Sequence, residues 1–282
     1  MKSTCLRYRW FTENCHEFIL PSGEHLLVDP MLPREGSRMY QGFGSGYTVD
    51  DIQRCDYVFI SHMHGDHIDQ LKEIQEKFNP FILINQNNVI PLAQALDLSV
   101  RKIIPLVDYQ RYDLGTFTFT PYPGTHVGTI GEQTLSQAYG MFKNMTGEEG
   151  PTLGNVAQAF GTCFNTNFLL EVPGGVRTAF IQGEYTELTR RNFMGSNPNL
   201  LIRQLSRIDL VPAIYDQLLD CVKETKTGLM AFMCHHHKQK DPQKTAADMN
   251  RDLARDNVPV TVFVPEAGRW ICVGNYIEFA EE

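Results

Sequence analysis

The sequence predicts an α/β fold, and three observations lead to that prediction. The apolar run Tyr57–Ile60 is typical of a buried strand, and apolar residues at 68, 71, 74 and 78 form one face of a helix that follows it. The same order recurs in a strand at 80–84 and a short helix at 88–96. Potential metal ligands follow four of the predicted strands, at the position where open α/β sheets usually carry their chemistry.

The rest of the chain divides into shorter elements of both kinds. Apolar or alternating runs predict further strands at 17–20, 25–28, 103–106, 117–122, 164–172, 176–181, 228–234, 260–264 and 270–273. Helical segments are predicted at 49–54, 200–204, 213–223 and 245–256. Because the sequence contains no repeat and no Pro- or Ser-rich linker, we expect residues 1–282 to form a single domain.

Composition narrows the class of protein. With 282 residues, 42% of them hydrophobic and 21% charged, the chain is large enough to bury a core without disulfide bonds. The net charge of −8 and the absence of a basic cluster argue against binding to nucleic acid. The seven cysteines are scattered without a CxxC pair, which predicts free thiols in a reducing compartment. With no signal-peptide pattern and no apolar run of membrane-spanning length, we expect a cytoplasmic protein that does not bind membranes.

The most informative segment is 61–69, which reads Ser-His-Met-His-Gly-Asp-His-Ile-Asp. It carries four potential ligands: His62, His64, Asp66 and His67. Two histidines two residues apart in an extended chain point to the same side, so His62 and His64 can chelate one ion. Asp66 and His67 lie at the turn into the helix and face a different point. The segment therefore predicts two neighbouring sites for divalent ions such as zinc.

Other predicted strands also end in potential ligands. His126 follows the strand at 117–122, Glu184 follows the strand at 176–181, and His235-His236-His237 follow the strand at 228–234. Four strand ends that each deliver a ligand are what a two-metal hydrolase requires.

Four further polar residues receive different interpretations. Asp29 and Asp69 lie near the ligand loops, where they could fix imidazole tautomers or be ordinary strand-end and helix-start carboxylates. His16 and His25 lie in the predicted N-terminal hairpin and are interpreted as structural or surface residues.

These residues, in this order, resemble the metallo-β-lactamase superfamily. The resemblance rests on His-x-His-x-Asp-His at 62–67, then His126, an acidic residue at 184 and a late histidine at 235, and it covers essentially the whole chain. It implies an αββα sandwich with two metal ions at one edge, between the sheets. Within the superfamily, the chain length and the His-Ile-Asp continuation look most like the ascorbate-6-phosphate lactonase branch.

The resemblance also implies which residues bind each ion. The three residues of the first site would be His62, His64 and His126. Those of the second site would be Asp66, His67 and a late histidine.

Two positions leave alternatives open. Glu184 stands where the family usually has a bridging aspartate, and its extra methylene allows it to bridge the ions, bind one of them or stand aside. Among the consecutive histidines, His235 is preferred because it directly follows the strand, and His237 is the alternative.

The predicted function is metal-dependent hydrolysis of an ester, lactone or related bond in a small anionic metabolite by a metal-bound hydroxide. Asp66 is the candidate catalytic residue because it could orient the nucleophile or carry its proton. Zinc is the expected metal, and manganese and iron also suit histidine and carboxylate ligands. Cationic residues in loops, Arg34, Arg38, Lys143 and Lys238, are candidates for binding an anionic group of the substrate.

Two other functions fit the same residues. One is phosphodiester hydrolysis by a member of the same superfamily, and the other is a non-hydrolytic metal-binding or redox role. The expected partner in each enzymatic case is a small molecule, and a homo-oligomer is compatible with the sequence.

Residues 131–161 predict a lid inserted into the domain. The segment has little apolar periodicity but contains several large apolar side chains. Because it begins shortly after the candidate ligand His126, we expect it to cover the active site and to influence the choice of substrate.

Overall fold

The structure is a computed structural model that describes residues 5–32, 46–126, 164–205, 214–234, 242–274 and 277–279. Within these ranges, strands form two mixed β-sheets that pack face to face. Helices pack on the outer face of each sheet through two further apolar clusters. The layers therefore run helix, sheet, sheet, helix, which confirms the predicted αββα sandwich.

The elements have the following bounds. The strands are β1 Leu6–Thr12, β2 Cys15–Ile19, β3 His25–Val28, β4 Tyr57–Ile60, β5 Phe81–Asn85, β6 Ile103–Leu106, β7 Tyr112–Asp113, β8 Thr118–Gly124, β9 Asn165–Val172, β10 Val176–Gln182, β11 Leu200–Leu205, β12 Leu229–Cys234, β13 Thr261–Phe263, β14 Ile271–Val273 and β15 Ile277–Phe279. The α-helices are α1 Gly65–Ile68, α2 Leu71–Phe78, α3 Val89–Leu96, α4 Glu187–Phe193, α5 Ile214–Thr225 and α6 Pro242–Arg255. No helix in the described part of the chain is long and apolar enough to cross a membrane.

The sheet topology brings several strand ends to one edge. The first sheet has the order β15-β14-β1-β2-β3-β4-β5-β6, and the second has the order β13-β12-β11-β10-β9-β8-β7. Strands β3 to β6 are parallel to one another, as are β10 to β13. Two antiparallel pairings through β9 give β8 the same direction as β10. The loops that follow β8 and β10 therefore leave the second sheet at the same edge.

An aromatic core holds the two sheets together. Phe59 of β4 packs against Phe168 of β9 with ring centroids 4.9 Å apart, and Phe119 of β8 lies 4.7 Å from Phe168. Phe180 of β10 stacks on Phe168 with ring centroids 5.1 Å apart. Burying a phenylalanine side chain contributes roughly 1.5–3 kcal/mol. Such a core fixes the position of β4 relative to β8 and β10, and so positions the loops that follow them.

Several elements differ from those that the sequence predicts. The helix predicted at 200–204 is wrong, because these residues form the parallel strand β11 between β10 and β12. A strand with neighbours on both sides and both faces covered has a continuous apolar run, here Leu200-Leu201-Ile202, that lacks the alternation of a half-buried strand. The helix predicted over 68–78 is interrupted, so that α1 and α2 are separate. Strands β1, β7 and β15 and helix α4 were not predicted.

The prediction of free thiols is wrong for two cysteines. Cys5 and Cys272 form a disulfide with a sequence separation of 267 residues, and it links the start of β1 to its neighbour β14. The error has a simple cause, because a strand pairing between the two ends of the chain leaves no local spacing pattern. Among the described residues, Cys15, Cys55 and Cys221 are buried free thiols.

Candidate metal centre

The loops that follow β4, β8 and β10 meet at one edge of the sandwich. The backbone N–H of Thr166, in β9, donates to the carbonyl of Ser61 at the end of β4 (2.9 Å), which ties the two sheets together. Within the second sheet, the N–H of Glu184 donates to the carbonyl of Thr125 at 3.0 Å. These bonds bring the loops that carry the candidate ligands next to one another.

Gly183 allows the chain after β10 to approach the chain after β8. Its φ is +75°, and a Cβ atom at this position would lie only 2.0 Å from the carbonyl oxygen of Thr125. Arg203, fully buried in β11, donates to the carbonyls of Ile181 (2.8 Å) and Gly183 (3.0 Å). The backbone before Glu184 is therefore held from both sides.

Three histidines come together at this edge. The ring centroids of His62 and His64 are 4.7 Å apart, and His126 lies 5.0 Å from His62 and 4.7 Å from His64. One ligand nitrogen of each ring lies within 4.8 Å of the others. A zinc ion binds imidazole nitrogens at about 2.0–2.1 Å, so small side-chain adjustments would bring all three onto one ion. The donor set and its spacing fit a divalent metal ion.

The electrostatic environment keeps His62 in the form that binds metals. Burial holds the pKa of this imidazole well below its usual value, and the neighbouring rings of His67, His64 and His126 lower it further. Asp66 opposes this shift only in part. The ring is therefore neutral at physiological pH, with a nitrogen lone pair available.

Asp29 orients the second part of the loop. Its Oδ2 lies 3.0 Å from Nδ1 of His67, and both its oxygens accept hydrogen bonds from Ser61, one from the backbone N–H (2.7 Å) and one from the hydroxyl (2.6 Å). A carboxylate at Nδ1 turns the Nε2 atom of an imidazole toward a ligand. Burial alone would lower the pKa of His67, but the carboxylates of Asp66 and Asp29 raise it above its usual value.

Comparison with known proteins agrees with this architecture. Residues 10–134 match the family described as Metallo-beta-lactamase superfamily. Igni18, a metallo hydrolase from the archaeon Ignicoccus hospitalis KIN4/I, is 13% identical with a TM-score of 0.65, over 95% of this chain and 98% of that chain. YhfI from Bacillus subtilis, a metallo-beta-lactamase fold protein, is 14% identical with a TM-score of 0.62, over 95% of this chain and 99% of that chain. This chain has the metallo-β-lactamase fold.

A third structure with this fold contains zinc. Zn²⁺-bound PqqB from Methylobacterium extorquens is 11% identical with a TM-score of 0.53, over 90% of this chain and 86% of that chain. No curated protein sequence shows significant similarity to this chain. At identities this low, the likeness is one of fold, and the activities of those proteins are their own.

The predicted ligands fall into three groups in this metallo-β-lactamase fold. His62, His64 and His126 form the one group of three or more potential ligands that meet within 4.8 Å in the described ranges. Asp66 and His67 lie beside them, since the rings of His62 and His67 are 3.8 Å apart and Asp66 Oδ2 is 3.6 Å from His67 Nε2. Their assignment to a second ion stays a prediction.

The third group contains residues whose role the described structure does not test. Glu184 is brought to the same edge by its backbone bond to Thr125, and its role as a ligand stays a prediction. His235 and the alternative His237 lie outside the described residues. So do the predicted lid at 131–161 and the four candidate anion-binding residues, Arg34, Arg38, Lys143 and Lys238.

Sequence reasoning missed polar residues that are far from segment 61–69 in sequence but contact it, or the chain beside it, in the fold. Asn14 Nδ2 lies 3.1 Å from Nε2 of His67, and Gln182 Nε2 lies 3.4 Å from the same atom. Arg203 lay in a segment predicted as helix. Their positions on neighbouring strands explain the omission, because a single amide or arginine in a strand or turn carries no spacing pattern. His16, interpreted as structural or surface, is fully buried between the sheets.

Proposed function

We propose that this chain is a metal-dependent hydrolase that acts on an ester, lactone or related bond of a small anionic metabolite. The observation that carries the proposal is the cluster of His62, His64 and His126 at the edge between the sheets, with ligand nitrogens within 4.8 Å of one another. Asp66 and His67 follow in the same loop and are the proposed ligands of a second ion, together with His235. Glu184 is proposed as a further ligand.

The residues around the proposed centre have different chemical roles. Divalent ions bound here would lower the pKa of water to about 7 and polarise the bond under attack. His62, neutral and almost completely buried, offers a lone pair without the need to lose a proton first. The carboxylate of Asp66 is the proposed group that orients the attacking water and takes up its proton. Asp29 and Ser61 keep His67 in a fixed orientation throughout.

The proposed metal is zinc, with manganese and iron as alternatives that suit the same donors. Support for zinc comes from the three clustered imidazoles and from PqqB, a zinc-bound protein with the same fold. The proposed substrate is anionic because the sequence has four cationic residues in segments predicted to be loops, and a lactone is proposed from the likeness to the ascorbate-6-phosphate lactonase branch. Phosphodiester hydrolysis would use the same centre and is the competing outcome of the assay below.

Metal content and substrate class can be tested on the same preparations. Protein purified without chelator and reconstituted with zinc or manganese is expected to bind up to two ions and to hydrolyse a small lactone or ester faster than a phosphodiester. His64→Ala should lose one ion and most of its turnover. His25→Ala is the matched control, because His25 lies at the opposite end of β3 and pairs with Glu17 at 2.7 Å.

Two results would contradict the proposal. A wild-type protein that takes up no metal on reconstitution cannot work in this way, and full turnover in His64→Ala would show that the cluster is not the catalytic centre. Preference for the phosphodiester would replace the lactonase assignment by the phosphodiesterase one.

A further inference from the structure

Four buried polar side chains lead from the interior of the sandwich to the metal-ligand loop. They are Tyr8 of β1, Asn14 in the turn between β1 and β2, His16 of β2 and Gln204 of β11, and all are fully buried. Three residues come from the first sheet and Gln204 comes from the second, so the row crosses the space between the sheets.

The row ends on Asp66 and His67. Asn14 Nδ2 donates to the backbone carbonyl of Asp66 at 2.8 Å. The same nitrogen lies 3.3 Å from Asp66 Oδ2 and 3.1 Å from His67 Nε2. These are the two side-chain atoms through which the pair would reach an ion. An ion bound there would take the Nε2 lone pair of His67, and the bond from Asn14 to the Asp66 carbonyl would remain to anchor the turn.

The direction of every hydrogen bond in the row follows from this end. The carbonyl of Asp66 can only accept, so Asn14 must present its NH2 group there and its Oδ1 to Gln204. Gln204 must then donate through Nε2 to that oxygen, and its own Oε1 accepts from Nε2 of His16 at 2.6 Å. The geometry therefore fixes the orientation of both amides and the tautomer of the imidazole.

Tyr8 closes the inner end of the row. Its hydroxyl lies 3.1 Å from Nδ1 of His16, the nitrogen left as an acceptor in the neutral ring. Burial raises the pKa of Tyr8 far above its usual value, so the hydroxyl keeps the proton that it donates. Each donor along the row thus faces an acceptor of its neighbour, and removal of one member leaves buried groups without partners.

The bond from Asn14 supports the start of a very short helix. Helix α1 has only four residues, and its N-cap, His64, makes no side-chain capping bond. A single turn of helix is unstable without contacts from outside. The bond from Asn14 to the carbonyl of Asp66 anchors this turn to a residue 52 positions away in the chain.

We propose that Asn14 and Gln204 are positioning residues that hold Asp66 and His67 in the orientation required for the second ion. This inference rests on the proposed two-ion function. Asn14 binds the loop directly through the Asp66 carbonyl. Gln204 binds Oδ1 of Asn14 and so prevents a flip of the Asn14 side-chain amide.

Metal titration of three variants tests the proposal. Asn14→Leu removes the amide at similar volume, and Gln204→Met removes both hydrogen-bonding groups of Gln204. Asn88→Leu is the matched control, because Asn88 is a fully buried amide between β5 and α3 whose Nδ2 and Oδ1 atoms have no hydrogen-bond partner among the described residues. Zinc binding is followed by calorimetry and elemental analysis.

We expect Asn14→Leu to weaken the second ion about 10- to 100-fold while the first ion keeps its affinity. Gln204→Met should act in the same direction with a smaller effect, and Asn88→Leu should leave both ions unchanged. Wild-type affinity for both ions in Asn14→Leu, or an equal loss at both sites, would overturn the proposal. If Asn14→Leu fails to fold, the same criteria apply to Gln204→Met.

A second measurement separates this proposal from the proposed function. In the metal-free protein, amide hydrogen exchange of residues 65–68 should be faster in Asn14→Leu and unchanged in Asn88→Leu. If the wild type binds fewer than two ions, the two-ion function fails, and this exchange experiment alone decides whether Asn14 holds the loop. Unchanged exchange in Asn14→Leu would show that it does not.

Discussion

Single residues at the sheet edge determine which groups face the centre. Asp29 has a positive φ of 45° and uses both oxygens on Ser61, so its carboxylate is committed to the loop that follows β4. A non-glycine residue in this conformation persists only where its surroundings hold it. Here the contacts to Ser61 and His67 provide that support, and they orient His67.

Asp66 is expected to matter for chemistry more than for folding. Replacing it with alanine should lower kcat/KM by about 10²- to 10⁴-fold, because a positioned carboxylate that orients water and takes its proton is removed. Its backbone carbonyl, which accepts the bond from Asn14, remains, so the thermal unfolding midpoint should change little. Wild-type turnover in Asp66→Ala would show that another group has this role.

Gly183 is expected to be intolerant of any side chain. Gly183→Ala should destabilise the protein by about 1–3 kcal/mol more than Gly174→Ala, because a methyl group at 183 would overlap the carbonyl of Thr125. Gly174 is the matched control: it also has a positive φ, of +98°, but no atom of the described part of the chain lies within 4 Å of its Cβ position. Urea unfolding of both variants gives the difference, and equal losses would mean that backbone strain alone sets the cost.

At the level of elements, strand ends deliver the candidate ligands. β4 leads into the loop with His62 and His64, β8 leads to His126, and β10 leads to Glu184. Because Phe59, Phe119 and Phe180 lie on these same three strands in the shared core, packing between the sheets sets the distance between the loops. The site is therefore a product of core packing as much as of loop sequence.

The segment 131–161 is expected to control substrate choice. Replacing it with a short Gly-Ser linker should leave metal binding intact, because the ligands lie outside it. Turnover of the true substrate should fall far more than hydrolysis of a small generic ester, which needs no specific contacts. An equal decrease for both substrates would show that the segment does not select the substrate.

At the level of the whole molecule, the two ends of the chain are joined in one sheet. β14 pairs with β1, and the disulfide between Cys5 and Cys272 links the same strands. A covalent link between residues so far apart in sequence stabilises a fold mainly by restricting the unfolded chain.

Loss of this disulfide is expected to lower the free energy of unfolding by about 2–4 kcal/mol. Cys5→Ser removes it, and urea unfolding measures the change. Wild-type protein in a strong reductant should match the variant, and the reductant should have no effect on the variant itself. A wild-type stability that is insensitive to the reductant would mean that this bond contributes nothing.

The sequence by itself determined the features that are local in the chain. The strand before segment 61–69, the candidate ligands in that segment and the helical residues after it follow from periodicity and residue type over about twenty positions. The αββα architecture followed from a resemblance carried by motifs in their order, and the structure confirms it.

Only the tertiary structure decided which distant groups meet. Leu200–Leu205 is a strand because β10 and β12 pair with it on both sides, although its own residues predicted a helix. The contact of Gln204 with Asn14 spans 190 positions, and the disulfide spans 267. Such contacts depend on the packing of whole sheets, and a buried amide or a single cysteine has no periodicity from which its partner could be predicted.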